Sequence, residues 1–294
     1  MKRLLLLTML TAIICSCSFN SLFLYPYPLT SESTFKGYDE QKGDTLTLRF
    51  SHVGDPTFTH SDMRPVTFDY TIKNHFFTNS NNDSINGWMI TSKGSNKGVT
   101  LFFLHGNTGN ISYNYPLTTP FVERGYSVFI IDYSEFGFSH GKATRKNVIL
   151  DANAGLNYLL SMDEIKNDKI IIYGQSLGGH LATVIAKQNE HKIDGLVIEG
   201  AFSSHHDIAA EEAGFLGRIF VKERYSAKDS IGLIQKPVLV IHSKEDETIP
   251  IEHGEALYAA ATEPKDFYVI DQKHILGPLY YADSIVARIE NLIK

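Results

Sequence analysis

A serine set between glycines where a short apolar strand meets a helix constrains this chain more than any other feature. Lys169-Ile170-Ile171-Ile172-Tyr173 reads as a buried strand, and Leu177 to Gln188 reads as a helix. Between them stands Gly174-Gln175-Ser176-Leu177-Gly178. Side chains at the flanking positions of so sharp a turn would strike the strand and the helix, so glycine is required there. The turn lifts the Ser176 hydroxyl above the sheet, over the N–H groups of the helix start, a placement that suits a nucleophile. The pattern alone recurs by chance about once in ten chains of this length at average glycine and serine usage, so its surroundings must carry the reading.

Those surroundings agree. Val99 to Leu104 is an apolar strand running into His105-Gly106-Asn107-Thr108-Gly109, a loop able to aim a backbone N–H at a developing oxyanion. After Ser176, the strand Pro237 to His242 leads into Ser243-Lys244-Glu245-Asp246-Glu247-Thr248-Ile249-Pro250, which offers three carboxylates. The strand Asp266 to Asp271 leads to Gln272-Lys273-His274. Nucleophile, acid and histidine thus follow one another, each on a loop directly after a strand.

From about Ile85 to the C-terminus the chain resembles the α/β-hydrolase superfamily. It is most similar to the lid-poor branch related to serine aminopeptidases and prolyl-oligopeptidase catalytic domains. The resemblance rests on His105 to Asn110, Gly125 to Tyr133, Gly174 to Gly179, Asp246 with Ile249-Pro250, and His274. It implies Ser176 as nucleophile, Asp246 rather than its acidic neighbours as the acid, and His274 as the base. It also implies an oxyanion hole from the backbone N–H groups of Leu177 and of Asn107, with Thr108 as the alternative to Asn107. The chain departs from the family pattern at Ser134-Glu135, where Arg-Gly is usual. It departs again at Ser243, where glycine is usual, and at Gln272-Lys273, where glycine often precedes the histidine.

The N-terminus carries a positive Met1-Lys2-Arg3 followed by an apolar run, Leu4 to Ile14, too short to span a bilayer but of signal-peptide length. Ile14-Cys15-Ser16-Cys17 resembles the cleavage box of bacterial lipoproteins, which implies residues 1–16 as signal and a lipid on Cys17. Removal of Cys15 then leaves no partner for an internal disulfide, and stability must come from the core. No aspartate follows the cysteine, so the expected location is the bacterial cell envelope, with the outer membrane favoured.

Alternating strands and helices from Ile85 onward predict an α/β fold with a mostly parallel sheet covered on both faces. Period-two segments at Thr45–Phe50 and Val66–Ile72 predict an antiparallel N-terminal edge. Residues 17–44 read as a tether and 45–294 as the hydrolase domain. Helices are expected at 117–124, 147–160, 177–188, 251–262 and 283–293. The formal charge of −6 with no basic cluster argues against nucleic acid as a partner. His205-His206 invites a metal reading, but no third ligand stands at suitable spacing, so neither a metal nor an organic cofactor is expected.

The expected function is a membrane-tethered serine hydrolase cleaving a small-molecule ester, with thioester or amide also open. The rivals are a non-catalytic envelope binding lipoprotein on a hydrolase scaffold, and a serine peptidase. The segment from Ala201 to Gln235 is too short for a separate lid domain, which predicts preference for small soluble acyl esters. Phe215 to Phe220 could supply one apolar pocket wall, and the aromatic N-terminal segment could also reach the pocket.

Overall fold

Uninterrupted apolar runs become the inner strands because both faces of the sheet are covered. The computed structural model describes residues 23–39 and 43–294; the signal and lipidation calls at 1–16 and Cys17 lie outside them. The strands of the N-terminal part are β1 (Tyr25–Pro26), β2 (Thr34–Asp39), β3 (Asp44–Phe50), β4 (Pro56–Thr59), β5 (Tyr70–Thr78) and β6 (Ser84–Ser92). Those that follow are β7 (Val99–Leu104), β8 (Thr108–Gly109), β9 (Ser127–Ile131), β10 (Lys169–Gln175), β11 (Gly195–Glu199), β12 (Val238–Ser243) and β13 (Lys265–Ile270). The helices are α1 (Ile111–Asn114), α2 (Thr119–Glu123), α3 (Asn147–Leu160), α4 (Leu177–Gln188), α5 (His205–Phe220), α6 (Ala227–Ile231), α7 (Ile251–Ala260) and α8 (Gly277–Leu292).

The central sheet has eight strands in the order β13-β12-β11-β10-β7-β9-β6-β5. Neighbours from β13 through β9 are parallel, while β6 and β5 join antiparallel. A separate three-stranded antiparallel sheet, β2-β3-β4, completes the N-terminal edge. Successive side chains point to opposite faces of a strand, so β7 feeds two cores. Phe102 and Leu104 join the core under α3, α4, α6 and α7, and Leu101 and Phe103 join the core under α2 and α8. On α3 the buried face is Val148, Ala152, Leu156 and Leu159, at helical spacing. Fully burying each such leucine or valine stabilises by roughly 1.5–3 kcal/mol.

The sheet order reverses around β7 and β10. After β7 the chain builds outward through β9, then returns to place β10 on the other flank. In open α/β sheets ligands bind beyond the carboxyl ends of strands at such a reversal. The Gly106–Gly109 loop and Ser176 both lie there.

Helices α3 and α4 occupy the expected 147–160 and 177–188. Four readings need correction. The strand expected at Val66–Ile72 begins instead at Tyr70 and runs to Thr78. Residues before it are drawn to β4: the Val66 N–H donates to the Phe58 carbonyl (2.9 Å), and the Phe58 and Phe68 rings meet edge to face. The last helix starts at Gly277 rather than 283, with Pro278 in its first turn, where a missing N–H costs nothing. The helix expected at 117–124 is shortened to α2. The described part of the expected tether is folded: β2 pairs with β3 along its whole length, and β1 pairs parallel with β8.

Candidate active site

The elbow is as tight as the glycines require. Ser176 has φ 54° and ψ −121°, a conformation side-chain-bearing residues rarely adopt and one associated with functional strain. A Cβ at Gly174 would lie 2.2 Å from the Gly178 carbonyl oxygen, and one at Gly178 would lie 2.0 Å from that of Leu104. The elbow is held from below, since the Ser176 N–H donates to the Glu199 carbonyl at the end of β11 (2.9 Å). Leu177 opens α4, and the first N–H groups of a helix have no partner within it.

The β7–β8 loop faces the elbow. A Cβ at Gly106 would come within 3.5 Å of the Ser176 Cβ. The Asn107 carbonyl accepts the Tyr25 N–H (2.8 Å), so the N-terminal strand braces this loop. His105 is buried, with Nδ1 2.8 Å from the Gly106 carbonyl and Nε2 3.5 Å from Asp132 Oδ1. Asp132 Oδ1 also accepts the Ile111 N–H at the start of α1 (2.8 Å). Both residues therefore shape the loop.

His274 Nδ1 lies 2.6 Å from Asp246 Oδ2. Asp246 Oδ1 accepts the N–H groups of Thr248 (2.9 Å) and Ile249 (2.8 Å). Its side chain is buried, and burial opposes its charge. The His274 contact and the two N–H donors outweigh that penalty and hold the carboxyl below the ordinary carboxylate range. Among the described residues neither Glu245 nor Glu247 bonds to His274. Oriented this way, the imidazole keeps Nε2 for chemistry. Ser176, Asn107, Leu177 and His274 all line one cavity of about 460 Å³, a size that accepts a small organic ligand.

Two supports were not visible as site residues in the sequence. Glu199 is fully buried. Its carboxylate accepts from Tyr173 Oη (2.7 Å), Gln175 Nε2 (2.8 Å) and the Gly277 N–H (2.7 Å). Burial nevertheless raises its pKa above the usual carboxylate value, against those three bonds. Glu199 thus ties the strand under Ser176 to the helix after His274. Ile275, next to the histidine, has φ 53°, an outlier for a β-branched residue, and its carbonyl accepts Gln175 Nε2 (3.0 Å). Two of the three family departures have a local account. Glu135 sits at φ 72°, where glycine is easier, and its Oε2 accepts the Ala143 N–H (2.8 Å); Ser243 Oγ accepts the Glu245 N–H (3.0 Å).

Gly200 (φ +56°) lies against the histidine; a Cβ there would sit 3.0 Å from both Cε1 and Nδ1 of His274. Gly200→Ala is expected to cost about 1–2 kcal/mol of stability from the left-handed backbone and to lower kcat at least about tenfold by displacing the imidazole. KM should change little. Thermal melts and steady-state kinetics check both. Unchanged kcat in a folded variant would mean that His274 needs no such fit.

The pocket wall differs from expectation. Helix α5 breaks at Ala213–Gly214, where Gly214 has φ +60°, and its second half folds back so that Gly217 packs on the Ala209 carbonyl. Ile208, Ala209, Ala213, Gly217 and Val221 line the cavity. Among the described side chains of the expected apolar wall, Gly217 lines the cavity, while Phe215, Leu216 and Ile219 face solvent. Phe23 and Tyr25 from the N-terminal segment also line it, with the Phe23 ring edge to face on His205 at the start of α5.

The metal reading of His205 acquires a companion set that spacing did not reveal. Ligand atoms of His180, His205 and Glu223 lie within 4.8 Å of one another. Both ring nitrogens of His180 face main-chain carbonyls, of Phe202 (2.9 Å) and Tyr225 (3.2 Å), and its ring stacks on Phe202. Burial drives its pKa down to about 3, so the ring is neutral. His205 Nδ1 lies 3.0 Å from Glu223 Oε1. These contacts fasten the start of α5 to α4 and to the loop before α6.

Comparison with known proteins agrees with this geometry. Residues 99–218 match the model of the alpha/beta hydrolase fold family. The chain is 32% identical over 205 residues to the protein YfhR of Escherichia coli K12, the match covering 68% of this chain and 72% of that one. It is 27% identical over 224 residues to the alpha/beta hydrolase domain-containing protein WAV2 of Arabidopsis thaliana, covering 70% and 73%. Among solved structures, the Pyrococcus furiosus esterase Pf2001 superposes with a TM-score of 0.62 at 22% identity, covering 76% of this chain and 91% of that one. Acetyl xylan esterase 1 from Thermoanaerobacterium superposes at 0.61 with 19% identity, covering 83% and 86%. At those identities the structural likeness speaks for the fold. With the strand order, the elbow, the family-model match and a relative 32% identical over 68% of the chain in agreement, the chain belongs to the α/β-hydrolase family.

Proposed function

We propose that this chain is a membrane-tethered serine hydrolase that cleaves an ester, or a thioester or amide, through an acyl-enzyme. The observation that carries the reading is the convergence on one cavity of a serine at a strained elbow and a histidine held by a buried carboxylate. His274 Nε2 takes the Ser176 proton as Oγ bonds to the substrate carbonyl carbon. Charge on the carbonyl oxygen is met by the N–H groups of Leu177 and Asn107. Collapse of that adduct breaks the bond to the leaving group, which receives the proton from His274 and departs. Water then repeats the sequence on the acyl-Ser176, freeing the acid and restoring the serine. Asp246 holds the ring and steadies the imidazolium. None of these steps calls on a metal or an organic cofactor.

A fluorophosphonate probe tests the reading. The folded protein is expected to label, with the adduct mapped to Ser176. A folded protein that does not label would favour the rival, a binding lipoprotein on a hydrolase scaffold. The lack of an assignable amine- or carboxylate-binding element among the cavity residues favours esterase over peptidase.

The tether is proposed to be a lipid on Cys17 that places the enzyme in the bacterial cell envelope, with the outer membrane favoured. Cys17→Ala is expected to release the protein from the membrane and detergent phases. Mass spectrometry of the mature N-terminus decides the point: an unmodified Cys17, or cleavage elsewhere, overturns it.

A further inference from the structure

The cavity wall and the proposed lipid site are close along the chain. Phe23 and Tyr25 form part of the cavity wall, and Cys17 precedes Phe23 by six residues. Even fully extended, that length spans only about 20 Å. A domain of this size has a radius of gyration of about 18 Å and hence a diameter of roughly 45–50 Å. A lipid on Cys17 therefore cannot leave the cavity on the far side of the domain from the bilayer.

The surface around the mouth fits that placement. On one side the β1–β8 strip presents Tyr25 and Tyr27, 50% and 57% exposed. On the other side the second half of α5 presents Phe215 (76% exposed), Leu216 (62%) and Ile219 (56%). These two sides flank the cavity that Tyr25, Ala213 and Gly217 line. Large apolar side chains gathered at a single rim mark an interaction surface, unlike the same residues scattered. Tyrosine, with an apolar ring and a polar end, suits the headgroup level of a bilayer.

We propose that this rim rests on the lipid bilayer and that the substrate is an acyl-chain ester drawn from it, the acyl chain passing between the N-terminal segment and α5 into the apolar cavity. The inference rests on the hydrolase and tether readings above and replaces the expectation of small soluble esters. That expectation followed from the shortness of the β11–β12 segment alone. It left open the wall that the N-terminal residues add.

The test uses the mature lipid-bearing protein in vesicles of phosphatidylethanolamine and phosphatidylglycerol. An environment-sensitive fluorophore is attached at Leu216→Cys and, separately, at Asn167→Cys. Asn167 lies on the exposed turn before β10, at the opposite end of the sheet from Ser176. Nitroxide-bearing lipid is expected to quench the probe at 216 and spare that at 167. A probe at 216 left unquenched, or both probes quenched alike, overturns the docking. In parallel, the triple variant Phe215→Ser, Leu216→Ser, Ile219→Ser changes only exposed side chains. It should lose at least about tenfold in turnover of a vesicle-borne palmitoyl ester, since the three apolar side chains that would leave water for the bilayer are gone. Its turnover of p-nitrophenyl acetate in solution should be unchanged. Equal turnover of the palmitoyl ester by variant and wild type overturns the proposal. Failure of the hydrolase reading shows differently, as absence of turnover on either ester by the wild type. Failure of the tether shows as protein that does not float with the vesicles.

Discussion

Ser176→Ala is expected to lower kcat on an ester that the wild type cleaves by several orders of magnitude while leaving the melting temperature nearly unchanged. Loss of a triad member typically leaves about 10³–10⁴-fold catalysis over water, from the oxyanion hole and binding alone. The two halves of the expectation come from the same local geometry. Ser176 is buried under the cavity rather than packed into either hydrophobic core, so removal of its Oγ creates no void in the core. The N–H that fixes the elbow to Glu199 is on the main chain and survives the substitution. Relief of strain does not follow, because alanine at φ 54° is no easier than serine. Steady-state kinetics with a single ester, together with a thermal melt, check both halves. Near-normal turnover in a folded Ser176→Ala protein would remove the serine from the chemistry. A variant that fails to fold would show instead that the elbow serine is structural. The fluorophosphonate adduct on the wild type would then arbitrate.

The parts of this protein that were legible in its sequence are those where one physical demand dominates. Helix α4 and helix α3 could be read because an apolar face recurs at helical spacing between clear breaks. The inner strands could be read because burial on both sides leaves little choice but continuous apolar residues. The elbow was legible because close approach of three backbones leaves only glycine. Sequence spacing alone did not separate Asp246 from Glu245 and Glu247, and only family resemblance did. In the structure Asp246 is the carboxylate 2.6 Å from His274, with two N–H donors on its other oxygen.

What was not legible depended on contacts between distant segments. The aromatic N-terminal segment left a reach to the pocket open, but nothing local in Phe23 to Asp39 predicts that β1 will pair with β8, since the pairing partner is about eighty residues away. The break in α5 at Ala213–Gly214 turns the apolar faces of Phe215, Leu216 and Ile219 outward, the reverse of a continuous helix with one buried stripe. Glu199 read as the end of a strand. Its role in joining Tyr173, Gln175 and Gly277 exists only once β10, β11 and α8 are side by side. The same holds for His180, His205 and Glu223, whose separation in the chain hides their proximity.

The second large effect is expected at Gly178. A Cβ there would lie 2.0 Å from the Leu104 carbonyl oxygen and 2.5 Å from that of His105. Both obstacles are main chain at the end of β7, so no side chain can rotate away. Gly178→Ala must push α4 off the strand or bend the loop that carries Asn107. Overpacking of this kind commonly costs about 1–3 kcal/mol and sometimes more. In a domain of this size that corresponds to a fall in Tm of roughly 2–12 °C. The catalytic consequence should exceed the thermal one. The helix start carries the Leu177 N–H and the displaced loop carries that of Asn107, so the shift separates the two proposed oxyanion donors. A misplacement of about 1 Å can cost on the order of a hundredfold in rate. Gly37→Ala supplies the contrast: it lies in β2 with nothing within 4 Å of its added Cβ. Its Tm and kcat should match the wild type, because only the methyl at 178 meets another backbone. Melting curves and ester kinetics on the two variants check this. If Gly178→Ala keeps both the wild-type Tm and the wild-type kcat, the close approach of α4 to β7 is wrong, and with it the placement of Ser176 opposite the Asn107 loop.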